Sequence, residues 1–330
     1  MKPSAPESVR NGRISRRALR VDRGGRRIAT DHASDPGVGG LAAWPRMLRV
    51  HQWAKNLLVF VPLIAAHRAG EWRLLLSCLI AFCSVSLGAS AVYILNDLHD
   101  LSADRLHPRK RFRPLAAGAI SIPAGLATSG FLIAVALALA ALLPAAFFVV
   151  LVLYFVITTT YTLVLKQSLM IDVICLAALY TQRIVAGGAA TGIPLSFWLI
   201  TFSMFLFLSL AFAKRYTEIA AMCAENSENL PGRGYQRADL DLIRSIGPSS
   251  GYIAVLVVCL FLNDPGTLAL YHHPKRLWLL CPLILYWISR VWFLAQRGQM
   301  NSDPVIYALS DWRSIVTGVC AAAIGVSAML

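Results

Sequence analysis

Ser84-Val85-Ser86-Leu87-Gly88-Ala89-Ser90-Ala91-Val92-Tyr93-Ile94-Leu95-Asn96-Asp97-Leu98-His99-Asp100-Leu101-Ser102-Ala103-Asp104 joins the end of a long apolar run to three carboxylates. Arg105-Leu106-His107-Pro108-Arg109-Lys110-Arg111-Phe112-Arg113-Pro114 follows at once. At 100° per residue, Asp97, Asp100 and Asp104 fall within an arc of about 60° on one helical face. Such a stripe calls for a cation, and carboxylate oxygens suit Mg²⁺, which shares its sphere with waters and substrate phosphates. Asp97, Asp100 and Asp104 are therefore the expected metal ligands and catalytic residues. Lys110, Arg111 and Arg113 are the expected grip on phosphate oxygens. Asn96 either adds a neutral oxygen ligand or caps the helix end. Pro108 and Pro114 break the helix and set the basic segment as a loop. The competing account is a solvated loop whose charges neutralise one another.

Outside this stretch, apolar blocks dominate. The 330 residues are 57% hydrophobic and 15% charged, with mean hydropathy +0.61. That composition predicts an all-α polytopic membrane protein. The formal charge of +14 sits in an N-terminal leader and between the apolar blocks, so membrane topology accounts for it and nucleic acid is not an expected partner. The seven cysteines form no Cys-x-x-Cys and mostly lie in apolar runs, which argues against a disulfide framework or a zinc site.

Residues 1–43 read as a basic, disordered cytoplasmic tail, and 44–330 as a single transmembrane catalytic domain. About nine spans are expected, near 46–66, 72–98, 119–142, 145–165, 169–190, 194–213, 245–263, 277–296 and 312–330. With the N-terminus inside, the loops after even-numbered spans carry fourteen Lys and Arg against four on the other side. This bias places the N-terminus and the charged loops in the cytoplasm, in a bacterial-type inner membrane.

Further polar residues sit inside or beside the spans. Gln52 and Lys55 lie three apart in the first span, with Arg49 a turn back; Lys55 either faces a site or snorkels to the interface. Tyr161 and Lys166 end the fourth span. Asp172 and Arg183 are eleven residues apart in the fifth, hence on one face about 16 Å apart. They either line a polar channel or form a structural interhelical pair. Lys214 and Arg215 begin the loop after the sixth span; they hold a second phosphate, or Lys214 pairs locally with Glu218. Asp303-Pro304 and Asp311-Trp312-Arg313 read as caps or packing residues. Hydrolase, ATPase and dehydrogenase signatures are absent.

Asn96-Asp97-x-x-Asp100-x-x-x-Asp104 at the end of the second span resembles the UbiA superfamily of intramembrane prenyltransferases, over roughly residues 44–330. The resemblance implies a UbiA-like bundle and Mg²⁺ around a diphosphate. That superfamily typically carries a second Asp-rich motif after the sixth span. Here the position reads Lys214-Arg215-Tyr216-Thr217-Glu218, which points away from aromatic prenylation. Arg49-Val50-His51-Gln52-Trp53-Ala54-Lys55-Asn56, the basic segment 105–113, Tyr161…Lys166…Asp172 and Lys214-Arg215-Tyr216-x-Glu218 look more like the decaprenyl-phosphate phosphoribosyltransferase branch, with its related nodulation proteins. That implies transfer of 5-phosphoribosyl from phosphoribosyl diphosphate to a polyprenyl phosphate, feeding arabinosyl donor and cell-wall glycan synthesis. The implied substrate contacts are Gln52, Lys55, Asn96, Lys110, Arg111, Arg113, Tyr161, Lys166, Asp172, Arg183, Lys214 and Arg215. The other readings are a prenyltransferase with a prenyl diphosphate donor and aromatic acceptor, and a polyprenyl-phosphate carrier. A homo-oligomer is compatible with the sequence.

Overall fold

The computed structural model describes residues 43–107, 110–224, 232–264, 271–300 and 303–330, and the regular elements among them are all helical. In chain order they are α1 (Ala43–Leu48), a 3-10 helix (Val50–Phe60), α2 (Val61–Ala65), α3 (Trp72–His99), α4 (Leu101–Leu106), α5 (Ile122–Ala140), α6 (Ala145–Leu163), α7 (Ile171–Thr191), α8 (Phe197–Ala224), α9 (Leu240–Phe261), α10 (Leu280–Gln296), α11 (Pro304–Ser310) and α12 (Trp312–Met329). Nearly all of the basic tail, Pro108 and Arg109 lie outside the described residues.

Among the described residues, eight of the expected spans are continuous helices of bilayer length. Helices α3, α5 to α10 and α12, two of them lengthened by a leading 3-10 turn, are long and apolar enough to cross a bilayer. The first expected span is instead broken at Arg49, whose φ of 51° and ψ of 45° lie in the left-handed region. It continues as an eleven-residue 3-10 helix. For a residue with a Cβ that turn is strained by roughly 1–2 kcal/mol. The segment still runs antiparallel to α3 for most of its length. Ser90 Oγ donates to the Leu48 carbonyl at 2.7 Å and accepts from Trp53 Nε1 at 2.9 Å. Asn56 Nδ2 donates to Ser86 Oγ at 2.9 Å, and Cys78 Sγ meets the Val59 carbonyl.

Small residues let these backbones approach, as packing between apolar helices in lipid requires. Ser84 on α3 bonds the Ala136 carbonyl of α5, and Ser129 of α5 returns a bond to the Ala91 carbonyl. On α7, a Cβ at Gly187 would stand 2.0 Å from the Val59 carbonyl oxygen. Gly187→Ala is therefore expected to push the 3-10 segment off α7 and destabilise the protein by about 1–3 kcal/mol or more. Gly130→Ala is the control, because its Cβ would meet nothing within 4 Å. Thermal unfolding in detergent of the two variants checks this.

Helix α7 is the axis of the bundle. It packs Val173 and Ala177 with Phe207, Phe212 and Trp292 on one side, and Cys175 and Leu179 with Phe147 and Leu151 on the other. Its span is 72% buried, against 11% for α12, so polar groups on α7 face protein rather than lipid. The apolar side chains Val149, Val152, Leu153 and Val156 of α6 and Ile315, Val316 and Val319 of α12 stay exposed, as lipid-facing surfaces do. Helix α8 outruns its expected end at 213 by about three turns, reaching Ala224. Lys214, Arg215 and Glu218 are thus helical rather than in a loop, and each has a partner.

Candidate active site at the charged end of the bundle

Charged side chains gather in three clusters near the ends of α3, α8 and α10 and the start of α7. In the first, Asp97 and Asp104 are almost fully buried. Arg113 Nη1 bridges them, 3.0 Å from Asp97 Oδ1 and 2.5 Å from Asp104 Oδ2. Arg49 Nη2 lies 2.6 Å from Asp97 Oδ1, and its guanidinium stacks over Tyr93 at 4.8 Å. This grip over-determines the strained Arg49 backbone. Asp100 does not join them. At a ψ of 8° it is the junction between α3 and α4, so the unbroken helical stripe of three acids is bent there. Among the described residues no three acidic, histidine or cysteine side chains converge as a metal site. Of the three expected ligands, Asp97 and Asp104 thus converge, while Asp100 stands apart at the junction.

Those two still fit Mg²⁺, which is commonly held by one or two carboxylates plus substrate phosphates. A cationic guanidinium already lies between them, which shows that the spot favours positive charge. The basic segment is used differently from expectation. Arg113 turns inward on the acids, while Lys110 and Arg111 are exposed and Arg111 lies over the Phe112 ring at 4.8 Å. Asn96 gives its backbone carbonyl to the Asp100 amide at 2.9 Å.

The second cluster centres on Asp303, the N-cap of α11, which accepts from the Val305 amide at 3.1 Å. Lys55 Nζ lies 2.8 Å and Lys214 Nζ 3.4 Å from its Oδ2. Tyr180 donates its hydroxyl to the same carboxylate at 3.0 and 3.1 Å. Burial alone would raise the Asp303 carboxyl, yet Lys214 and Lys55 hold it well below its ordinary value. Arg183 stands over the Tyr180 ring at 5.4 Å and donates Nε to Asn56 Oδ1 at 2.8 Å. Lys55 therefore does not snorkel. Gln52 lies beside it, bonded to His51 at 2.8 Å.

The third cluster is a knot. Asp172 and Arg215 have no exposed side-chain surface. Arg215 binds Asp172 through two nitrogens and reaches Glu218 as well. Arg233 adds contacts of 2.7 Å to Asp172 Oδ1 and 2.6 Å to the Tyr161 hydroxyl, which itself donates to Asp172 at 2.7 Å. Of the two readings left open for Asp172, the geometry is that of the interhelical pair, made with Arg215 and Arg233. Arg215 is thereby neutralised. Lys214 does not pair with Glu218, because Arg215 takes that carboxylate. Lys166 stays half-buried in the turn Leu165–Gln167, outside the three clusters.

Asp303, Tyr180 and Arg233 were not singled out from sequence as site residues. For Tyr180 a signal existed. Positions 172, 180 and 183 share an arc of about 80° on an α-helix. An apolar cavity of about 410 Å³ lies at the opposite end, among Pro62, Ile193, Trp198, Phe202, Phe261 and Ile284, remote from all three clusters.

The UbiA prenyltransferase family profile matches residues 57–313. The uncharacterized protein y4nM of Sinorhizobium fredii is 38% identical over 87% of this chain and 56% of its own, so the chain spans little over half its length. Nodulation protein NoeC of Azorhizobium caulinodans is 35% identical over 81% of this chain and 87% of its own. Decaprenyl-phosphate phosphoribosyltransferase of Mycobacterium tuberculosis is 35% identical over 58% of this chain and 65% of its own. In structure, a UbiA homolog from Archaeoglobus fulgidus bound to GPP and Mg²⁺ superposes with a TM-score of 0.63 at 18% identity, covering 87% of this chain and 99% of that one.

Proposed function

Because the chain belongs to the UbiA prenyltransferase family and is an integral multi-pass membrane protein, we propose that it transfers 5-phosphoribosyl from phosphoribosyl diphosphate to a polyprenyl phosphate, releasing diphosphate. The observation that carries this reading is the pairing of one acidic cluster with a lysine-rich one. A prenyl diphosphate donor held by metals on two sides needs a second carboxylate cluster. Where that would stand, Glu218 is engaged by Arg215, Asp239 caps its own turn and Asp241 is exposed. A donor with a diphosphate at one end and a monophosphate at the other instead matches one carboxylate site plus one cationic site. The similarity to decaprenyl-phosphate phosphoribosyltransferase supports the same donor.

Asp97 and Asp104, with Asp100 at the adjoining helix junction, would hold Mg²⁺, which when bound neutralises charge developing on the leaving diphosphate. Arg113 and Arg49 would share that load. Lys55 and Lys214 are the groups left for the donor's monophosphate. The acceptor phosphate is anionic already, so no strong general base is required; catalysis rests on positioning and electrostatics. The charged end faces the cytoplasm of a bacterial inner membrane in this reading, consistent with the excess of Lys and Arg there. The product would enter arabinosyl donor and surface-glycan synthesis.

Purified protein given phosphoribosyl diphosphate, polyprenyl phosphate and Mg²⁺ is expected to form a phosphoribosylated lipid, and EDTA to stop it. Consumption of a prenyl diphosphate with an aromatic acceptor, with no phosphoribosylated lipid, would reject the reading. Lipid binding without any turnover would instead identify a carrier.

A further inference from the structure

The charge balance of the three clusters is unequal. Asp97 and Asp104 are met by Arg49 and Arg113, and Asp172 and Glu218 by Arg215 and Arg233. Around Tyr180, Lys55, Lys214 and Arg183 gather against Asp303 alone among the described residues. Among the described residues the Arg183 guanidinium donates to neutral acceptors, Asn56 Oδ1 and the Leu179 carbonyl. Two positive charges are therefore left over in a mostly buried place, where an unneutralised charge is unfavourable and an anion is strongly attracted.

We propose that Asp303 is an exchangeable counter-ion that occupies this anion site and, by having to be displaced, makes the site selective for doubly charged ligands. A monoanion that replaces the carboxylate gains no Coulomb energy over it. A phosphomonoester dianion gains one charge's worth and can take the Tyr180 hydroxyl and both ammonium groups. The fold lets Asp303 leave. Helix α11 has seven residues, and its far end is fixed independently by Asp311. That carboxylate takes two bonds from Arg290, at 2.6 and 3.0 Å, and two from Ser314. At the near end a rotation of the Asp303 carboxylate breaks the Val305 amide bond beyond its contacts to the lysines and Tyr180, while the backbone carbonyl keeps the Tyr307 amide at 2.8 Å. The phosphomonoester class rests on the reading of the donor given above.

Asp303→Asn removes the competing charge and keeps a good N-cap. Asp303→Ser does the same with a different side chain, should the first variant fold poorly. With ribose 5-phosphate as probe in calorimetry, the wild type is expected to bind the dianion at pH 7.2, where Lys55, lowered by burial to about 8, stays mostly protonated, better than the monoanion at pH 5.5. Both variants are expected to bind it about tenfold more tightly or better. They should also take up methyl phosphate and formate with less discrimination between them. Adding Lys55→Gln to Asp303→Asn should abolish the gain, which locates the site. Unchanged or weaker binding in folded Asp303 variants overturns the exchange. Unchanged binding alongside wild-type phosphoribosyl transfer leaves the reaction standing without it. Tighter binding with no phosphoribosyl transfer upholds the exchange and rejects the reaction.

Discussion

Asp97→Asn is expected to lower turnover by about 10³-fold and to weaken the fold as well, whereas Asp100→Asn should lower turnover by about 10²–10³-fold with an unchanged melting temperature. The difference follows from what each carboxylate touches. Asp97 is buried and answers both Arg49 and Arg113. An amide there leaves two guanidinium groups short of charge and releases the strained turn at Arg49. Asp100 is half-buried at the helix junction with no side-chain partner among the described residues, so the loss expected there is to a bound cation. Turnover measured across a Mg²⁺ titration, beside thermal unfolding, separates the two. An Asp100→Asn protein with full activity would remove that residue from the metal site.

Asp172→Asn should have the largest effect on stability, about 3–5 kcal/mol. Its partner Arg215 is fully buried on α8 and keeps only Glu218 and Tyr161 once the carboxylate is gone. Arg233 loses its ion pair at the same time and keeps the Tyr161 hydroxyl. Next to Arg233, Gly234 adds a further constraint, since a Cβ there would lie 2.4 Å from the Gln167 carbonyl oxygen. Substituting both members, Asp172→Leu with Arg215→Met, should recover much of the loss, because a packed apolar pair replaces the pair of buried charges. Apparent melting temperatures of the single and double variants in detergent test this. A double variant no better than Asp172→Asn would mean that the knot does more than balance charge.

Spans two to nine were legible because an apolar run of bilayer length admits few alternatives. The boundary that failed, at Lys214, failed because charge was taken as the end of a helix. Lys214 and Arg215 continue α8 since Asp303 and Asp172 wait for them on neighbouring elements, and hydropathy along one strand of sequence carries no information about partners. The acidic stretch was legible in composition. Its exact geometry was not, because the bend at Asp100 depends on where α4 docks. Asp303 was the hardest to see. Asp-Pro ahead of a short helix is an ordinary cap, and it is one here. Its second role exists only because residues 55, 180 and 214 meet it after folding.

The winding of the first segment also sets a length scale. In a 3-10 helix six residues make two full turns, so Lys55 returns to the edge from which Arg49 starts, about 12 Å further on, with Gln52 midway. In an α-helix the same six residues would turn Lys55 about 120° away and advance it only about 9 Å. Since Arg49 answers the carboxylate cluster and Lys55 the lysine-rich one, the distance between the two is gauged by backbone winding rather than by side-chain reach. A ligand with an anionic group at each end meets a ruler, and relaxing those residues to α-helix would change the molecule it measures.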